Sequence, residues 1–410
     1  MSAQPFDVAI VGGGMVGASL AVALAPLDLR IALIEAIAHT SDAQPSFDER
    51  TTALSNGSRR ILETLDVWRG VSSEATPIKK IHVSDQGHFG FARIDAEAQG
   101  LDALGYVLPN RTLGRALWER IAKIPAITAF CPAQVRLVTP GDPLVGVELA
   151  DADGVQHSLQ ARLIVAADGI NSAVRAAFGV DATSRDYGQT AVITTVLPQR
   201  FHNHVAYERF TSSGPLALLP LNDGKCTLVL TLDAADVDAA MASSDAEFIA
   251  ELQRRFGFRL GRFLKVGRRV PYPLSLTQAT RTSAGRCIIV GNAAQGLHPV
   301  AGMGFNLGLR DVASLAELIA ENRRLGQPDA GDAALLAEYD AWRAADRRAI
   351  IGFTDGLVRI FSTPLRPVRR LRNLALLVFD VLPPAKAALS RLSTGAGGRI
   401  PKLARGVPLQ

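Results

Sequence analysis

Residues 8–24 read VAIVGGGMVGASLAVAL: a short apolar run, three glycines at Gly12, Gly14 and Gly17, then a stretch rich in Ala and Leu. This order predicts a buried strand over Phe6–Val11, a tight turn and a helix from Met15 to Ala25. Each glycine of the G-x-G-x-x-G has a task in a dinucleotide-binding turn. Gly12 permits the turn, Gly14 lets the backbone approach a pyrophosphate, and Gly17 lets helix and strand pack closely. The free N–H groups at the helix start then favour phosphate. Gly13 and Val16, inside the same turn, join the candidate set. A second strand is expected over Arg30–Ile34, and Glu35 at its end sits where a carboxylate accepts from a ribose diol. The fold class that follows is α/β, with a Rossmann-type nucleotide-binding domain.

Two later segments repeat the strand-then-loop pattern. Residues 163–175, LIVAADGINSAVR, run from an apolar strand into Asp168-Gly169, after which Asn171-Ser172 start a helix carrying Arg175. Residues 287–311, CIIVGNAAQGLHPVAGMGFNLGLRD, run from another strand into Gly291-Asn292. A loop with His298-Pro299, Gly302 and Gly304 then opens a helix near Phe305. A glycine-rich loop at a helix start can aim N–H groups at an electron-rich ring edge.

Between these pieces the chain changes character. From about Val180 to Ala284 it holds short β-rich runs divided by Gly, Pro and Asp turns, which predicts an inserted sheet. Helical spacing marks Thr52–Leu65, Arg111–Ile121, Leu307–Leu325 and Ala333–Ile351. The expected organisation is nucleotide-binding parts at 1–75, 111–179 and 285–352. Substrate-domain strands fall at 76–110 and a β-rich substrate domain at 180–284. A C-terminal basic, amphipathic helical region occupies 353–410. The three cysteines, Cys131, Cys226 and Cys287, are too sparse for a disulfide framework or a zinc site, which points to a reducing, cytoplasmic compartment. No targeting segment and no apolar run of membrane-spanning length is evident.

The three motifs, in this order and along essentially the whole chain, resemble the FAD-dependent aromatic hydroxylases of the para-hydroxybenzoate hydroxylase type. The place of the first motif near the start of the chain also favours FAD over NAD. The resemblance implies that the Gly291-Asn292 loop reaches the flavin ribityl chain and that Gly304, Phe305 and Asn306 lie near the isoalloxazine. It extends the cofactor-binding set to Arg50 in FDERTTALS, Arg111 in PNRTLGRAL, Val135, Asp168, Gly169, Pro299 and Gly302. The segments DERTTALSNGSRRIL and GNAAQGLHPVAGMGFNLGLRD resemble the ubiquinone-biosynthesis branch. Asn292 and Gln295, in place of the usual Asp and His, resemble its 2-polyprenyl-6-methoxyphenol hydroxylases.

That resemblance implies hydroxylation of a polyprenylated phenol by O2 through a flavin C4a-hydroperoxide. The electron donor, NAD(P)H or another reductase, is not marked by a second nucleotide motif. His298 is the one candidate for a catalytic base, and a structural loop histidine accounts for it equally. An FAD monooxygenase acting on a soluble aromatic metabolite stays open. The halogenase W-x-W-x-I-P signature is absent, since Trp68, Trp118 and Trp342 stand far apart. A non-catalytic binding protein on this fold, like the Rab-GDP dissociation inhibitors, would leave the later loops without purpose.

The net charge of +5 is uneven: Gly356–Gln410 holds ten Lys/Arg against Asp380 alone, so this end carries +9 and the rest −4. With apolar residues such as Leu371, Leu374, Leu377, Val378 and Phe379 interleaved, it is expected to meet an anionic membrane surface rather than nucleic acid. Other enzymes of ubiquinone biosynthesis are further expected partners.

Overall fold

The computed structural model describes residues 4–41, 44, 50–88, 90–299, 302–362 and 399–409, with the side chains of 357–362 left aside. The basic stretch from Phe361 to Leu392 therefore lies almost wholly outside the described residues.

The first strand, Phe6–Val11, is the centre of an eight-stranded sheet. It pairs in parallel with Ile31–Ile34 on one side and with Gln156–Ala166 on the other, and the latter pairs in parallel with Cys287–Ile289. Parallel strands buried on both faces demand continuous apolar runs, and Ile31–Ile34 and Leu163–Ala166 supply them. The helix Met15–Leu24 covers this sheet and packs against Asn110–Ile121 and Met303–Arg324.

A nine-stranded, mostly antiparallel sheet forms the second layer, in the order Gln295–Gly296, Val270–Ala279, Ala182–Pro198, Cys226–Asp233, Gly214–Pro220, Val205–Thr211, Lys80–Asp85 and Phe91–Asp95, with Phe263–Val266 pairing beside Ala182–Pro198. One face buries Leu216, Leu218, Leu228 and Leu230 against Phe248 and Leu252 of the helix Asp245–Phe256. That helix is closed by a capping box in which Ser244 and Glu247 bond each other's backbone N–H groups.

A three-stranded sheet of Thr51–Ser55, Gly105–Pro109 and Thr76–Ile78 joins the two layers. The stretch 76–110 is thus divided, with Lys80–Asp95 in the large sheet and its two ends in the small one. The structure also corrects one expectation from spacing. Thr51–Ser55 is a strand, and the helix spans only Asn56–Thr64. The β-branched Thr51 and Thr52 pair across to Pro109 and Leu108, and Ser55 stops the strand by accepting the Ser58 N–H at 3.2 Å. The helix expected over Ala333–Ile351 continues to Ser362.

Candidate functional site

The three glycine-bearing motifs converge because their strands are neighbours. Val11, Ala166 and Ile289 end adjacent parallel strands at one sheet edge. The Ala167 N–H donates to the Val11 carbonyl at 2.8 Å, and the Val290 N–H to the Ala166 carbonyl at 3.0 Å. In an open parallel sheet, this carboxyl edge is where ligands bind.

Close packing explains the first turn. Gly12 adopts φ +104°, and a Cβ there would lie 2.3 Å from the Ala167 carbonyl oxygen. A Cβ on Gly17 would lie 1.9 Å from the Gly12 carbonyl oxygen. No larger residue fits either place without moving backbone. Gly14 caps the helix with no side-chain hydrogen bond, and the first turn carries no acidic residue. Its N–H groups and the positive end of the helix dipole are therefore left for an anion. The helix Met303–Arg324 starts the same way, from Gly302 with no side-chain cap. Val16 seats the Gly291 loop: Cβ atoms at Gly291 and Gly308 would lie 3.2 and 2.9 Å from its methyl groups.

Glu35 is buried at the end of Ile31–Ile34. Its two oxygens accept the Gly13 N–H at 2.6 Å and the Ile37 N–H at 3.0 Å, which fixes the carboxylate with lone pairs to spare. Trp118, which the sequence alone did not single out, donates its indole N–H to the Gly13 carbonyl at 3.1 Å and stacks on His39 with centroids 4.5 Å apart. The available signal was spacing, since Trp118 lies seven residues after Arg111, two turns along one helix. Arg50 and Arg111, 61 residues apart in the chain, are brought to neighbouring backbone positions because the Asn110 N–H donates to the Arg50 carbonyl at 2.9 Å. The Arg50 guanidinium lies 4.6 Å over the Tyr272 ring, and Arg111 is exposed. Val135 lies in Ala133–Thr139 and packs against the apolar cluster of Val11, Ile34, Ala166 and Val174.

Asp168 divides its two oxygens. Oδ2 accepts the Val174 N–H at 3.2 Å at the start of the short helix Ala173–Ala177, while Oδ1 is buried with no partner among the described residues. A buried acceptor left unpaired costs about 1–3 kcal/mol, and a ligand hydroxyl would remove that cost. Arg175 ties this loop to the next by donating to the carbonyls of Ile170 at 3.1 Å and Ala293 at 2.7 Å. Gly169 has open space around it, and Asn292 and Pro299 are exposed. Two uncapped helix starts, an anchored ribose-type carboxylate and the unpaired Asp168 Oδ1 fit the diphosphate, diol and polyhydroxyl chain of FAD.

Two further candidates make defined contacts within the protein. The Asn306 amide is committed to the protein: it accepts the Ser55 N–H at 2.8 Å and donates to the carbonyls of Ala53 at 2.8 Å and Gly302 at 2.7 Å. It clips the three-stranded sheet to the start of Met303–Arg324. His298 is 1 % exposed and meets the edge of Tyr187, with centroids 5.4 Å apart. Burial lowers its pKa to about 4, so at neutral pH it is an uncharged imidazole and a weak proton acceptor.

Beneath the Gly291 loop lies a buried charge network. Gln295 donates to Asp311 Oδ2 at 3.1 Å, and Arg343 donates to Asp311 Oδ1 at 2.8 Å, both charged partners being 0 % exposed. Asp346 pairs with Arg310 and Arg343. Gln295 thus hangs the Gly291 loop from a balanced set of two cations and two anions.

Comparison with known proteins agrees with this geometry. The family described as "FAD binding domain" matches residues 5–354. The ubiquinone hydroxylase UbiL of Rhodospirillum rubrum is 40 % identical over 407 residues, which span 98 % of this chain and 93 % of the relative. The 3-demethoxyubiquinol 3-hydroxylase of Escherichia coli is 32 % identical over 386 residues, spanning 93 % and 96 %. Among solved structures, the p-nitrophenol 4-monooxygenase PnpA of Pseudomonas putida shares the fold, with a TM-score of 0.78 at 21 % identity over 96 % of this chain and 99 % of that one.

Proposed function

The chain belongs to the FAD-binding family of flavin-dependent hydroxylases, in its ubiquinone-biosynthesis branch, and from that premise we propose that it hydroxylates the aromatic ring of a polyprenylated phenol, with O2 as co-substrate. The observation that carries the cofactor assignment is the convergence of Glu35, Asp168 and two uncapped helix starts on one sheet edge. Bound FAD supplies the activation of O2 and delivery of one oxygen atom.

The protein's part is to hold and orient. The Gly12–Gly17 turn would hold the diphosphate, Glu35 the ribose, and Asp168 with the Gly291 loop the ribityl chain. Asn306 fixes the Ala53 and Gly302 backbone, which would border the ring system. The large sheet closes over that edge and limits water around the reacting atoms. Electrons come from NAD(P)H or a reductase.

A long isoprenoid tail resides in a bilayer, so the same reading brings the enzyme to an anionic membrane surface through 353–410, and into the company of other enzymes of the pathway. Among the described residues no helix is long and apolar enough to cross a membrane. Flotation with anionic liposomes at low and high salt tests the surface contact, which no co-flotation at low salt would remove. The function itself is tested by quinone profiling of a deletion strain. Accumulation of an under-hydroxylated polyprenyl phenol is expected; an unchanged quinone pool refutes it.

A further inference from the structure

The face of the nine-stranded sheet opposite its helices turns toward the flavin domain. At one level across it, Ala206 and Leu219 pack with Ala53, and the Thr51 hydroxyl donates to Thr227 Oγ1 at 3.1 Å. At another, Arg50 lies over Tyr272, which pairs with Ala191. Between these two sealed levels the register sets one row: Val83, Glu208, Ala217, Val229, Ile193 and Val270. Every residue in that row is only half-buried, as the lining of a cleft should be.

Five of the six are apolar, and Glu208 is the exception. Its carboxylate has no hydrogen bond and no ion pair among the described residues, since burial alone accounts for its raised pKa, which reaches about 7. Water reaches the side chain, yet protein surrounds it deeply enough to disfavour the charge. The charged groups nearby are engaged elsewhere. Arg209, on the other face of the strand, donates to the Arg255 carbonyl and Ser84 Oγ, and His82 is bonded by Arg259. On the helix Ala333–Ser362, which packs on Gly214–Pro220, Asp355 is bonded by Arg185 and Tyr187. Arg50 faces Tyr272.

We propose that Glu208 receives the ring hydroxyl of the substrate, a phenol whose ring lies along the apolar row beside the flavin edge. This rests on the hydroxylase reading above and names the proton acceptor that the sequence did not supply. The phenol O–H donates to the carboxylate and its proton passes to a Glu208 oxygen. The O–H bonding pair stays on the phenol oxygen, so a phenolate and a carboxylic acid replace a phenol and a carboxylate at constant total charge. The ring becomes richer in electrons where oxygen is to be added. A proton acceptor titrating near neutral pH suits this transfer.

The test compares wild type, Glu208→Gln and Glu208→Leu as FAD-loaded enzymes. The probes are 2-geranylphenol and its methyl ether, which has no proton to give. Binding is followed by flavin fluorescence across the neutral range, alongside FAD content and the pH profile of kcat/KM for the phenol. In wild type, kcat/KM is expected to climb as pH rises through about 7. Glu208→Gln should lose that limb and fall by about 100-fold at the plateau, chiefly in kcat, with FAD content and ether binding unchanged. Glu208→Leu should match it. Turnover by wild type with the same pH limb retained in Glu208→Gln, or activity within about twofold, overturns the role of Glu208 alone. No turnover of the phenol by wild type overturns the hydroxylase reading and this proposal with it.

Discussion

Arg343→Met probes whether the buried charge network holds the flavin loop. Arg343 and Asp311 are each 0 % exposed and 2.8 Å apart. At an effective dielectric of about 20, unit charges about 4 Å apart attract by about 4 kcal/mol. Methionine removes that attraction and leaves the Asp311 carboxylate with the Gln295 amide as its one side-chain hydrogen-bond partner among the described residues. Loss of one partner from a buried pair costs about 3–5 kcal/mol, which matches the Coulomb figure. The variant should therefore unfold in urea with a first transition weakened by that amount, and it should release FAD more readily because Asp311, which anchors Gln295, loses its own partner. The double variant Asp311→Leu with Arg343→Met has no uncompensated charge at this pair. It should recover most of the loss, keeping about 1–3 kcal/mol for the orphaned Gln295 amide. A cost below about 1 kcal/mol in the single variant, or a double variant as unstable as the single, refutes the reasoning.

Gly14→Val should yield colourless protein, because a branched side chain blocks approach to the helix start; full flavin content by absorbance would remove the phosphate assignment. Asp168→Ala should weaken FAD retention more than it lowers the melting temperature of the apoprotein, since Ser172 still caps the short helix by accepting the Arg175 N–H at 2.9 Å. Equal losses would mean that Asp168 serves only the turn. For Glu208 the raised pKa fixes a sign: the folded state binds the proton more tightly, so this contribution is complete below pH 4.5 and is lost as pH rises through about 7. The shift sets an upper limit of about 3 kcal/mol, reduced to about 1–2 by the water that reaches the side chain. Glu208→Gln should then be the more stable protein above about pH 7 and equal to wild type below pH 4.5 in denaturation at several pH values; a difference independent of pH would contradict this.

The sequence by itself determined the local parts. Gly12, Gly14 and Gly17 announced a strand, turn and helix because glycines at those spacings permit the tight turn and let backbone approach phosphate, and the alternation of apolar runs with Asp168-Gly169 and Gly291-Asn292 marked two more strand ends. These are short-range facts of conformation, legible in about twenty residues at a time. Tertiary structure alone decided what lies across the chain. Thr51–Ser55 became a strand through pairing with Gly105–Pro109, against its helical spacing. Trp118 reached the Gly13 carbonyl, Arg175 bridged two loops and Asn306 clipped the small sheet to a helix start, each through a partner far away in sequence. Glu208 shows the difference most clearly. In YERF it reads as an ordinary polar residue on a strand. Only the register of five neighbouring strands, and the flavin domain lying over them, makes it the single carboxylate in an apolar row. Charge burial depends on the summed surroundings of a group, and no local stretch of sequence contains that sum.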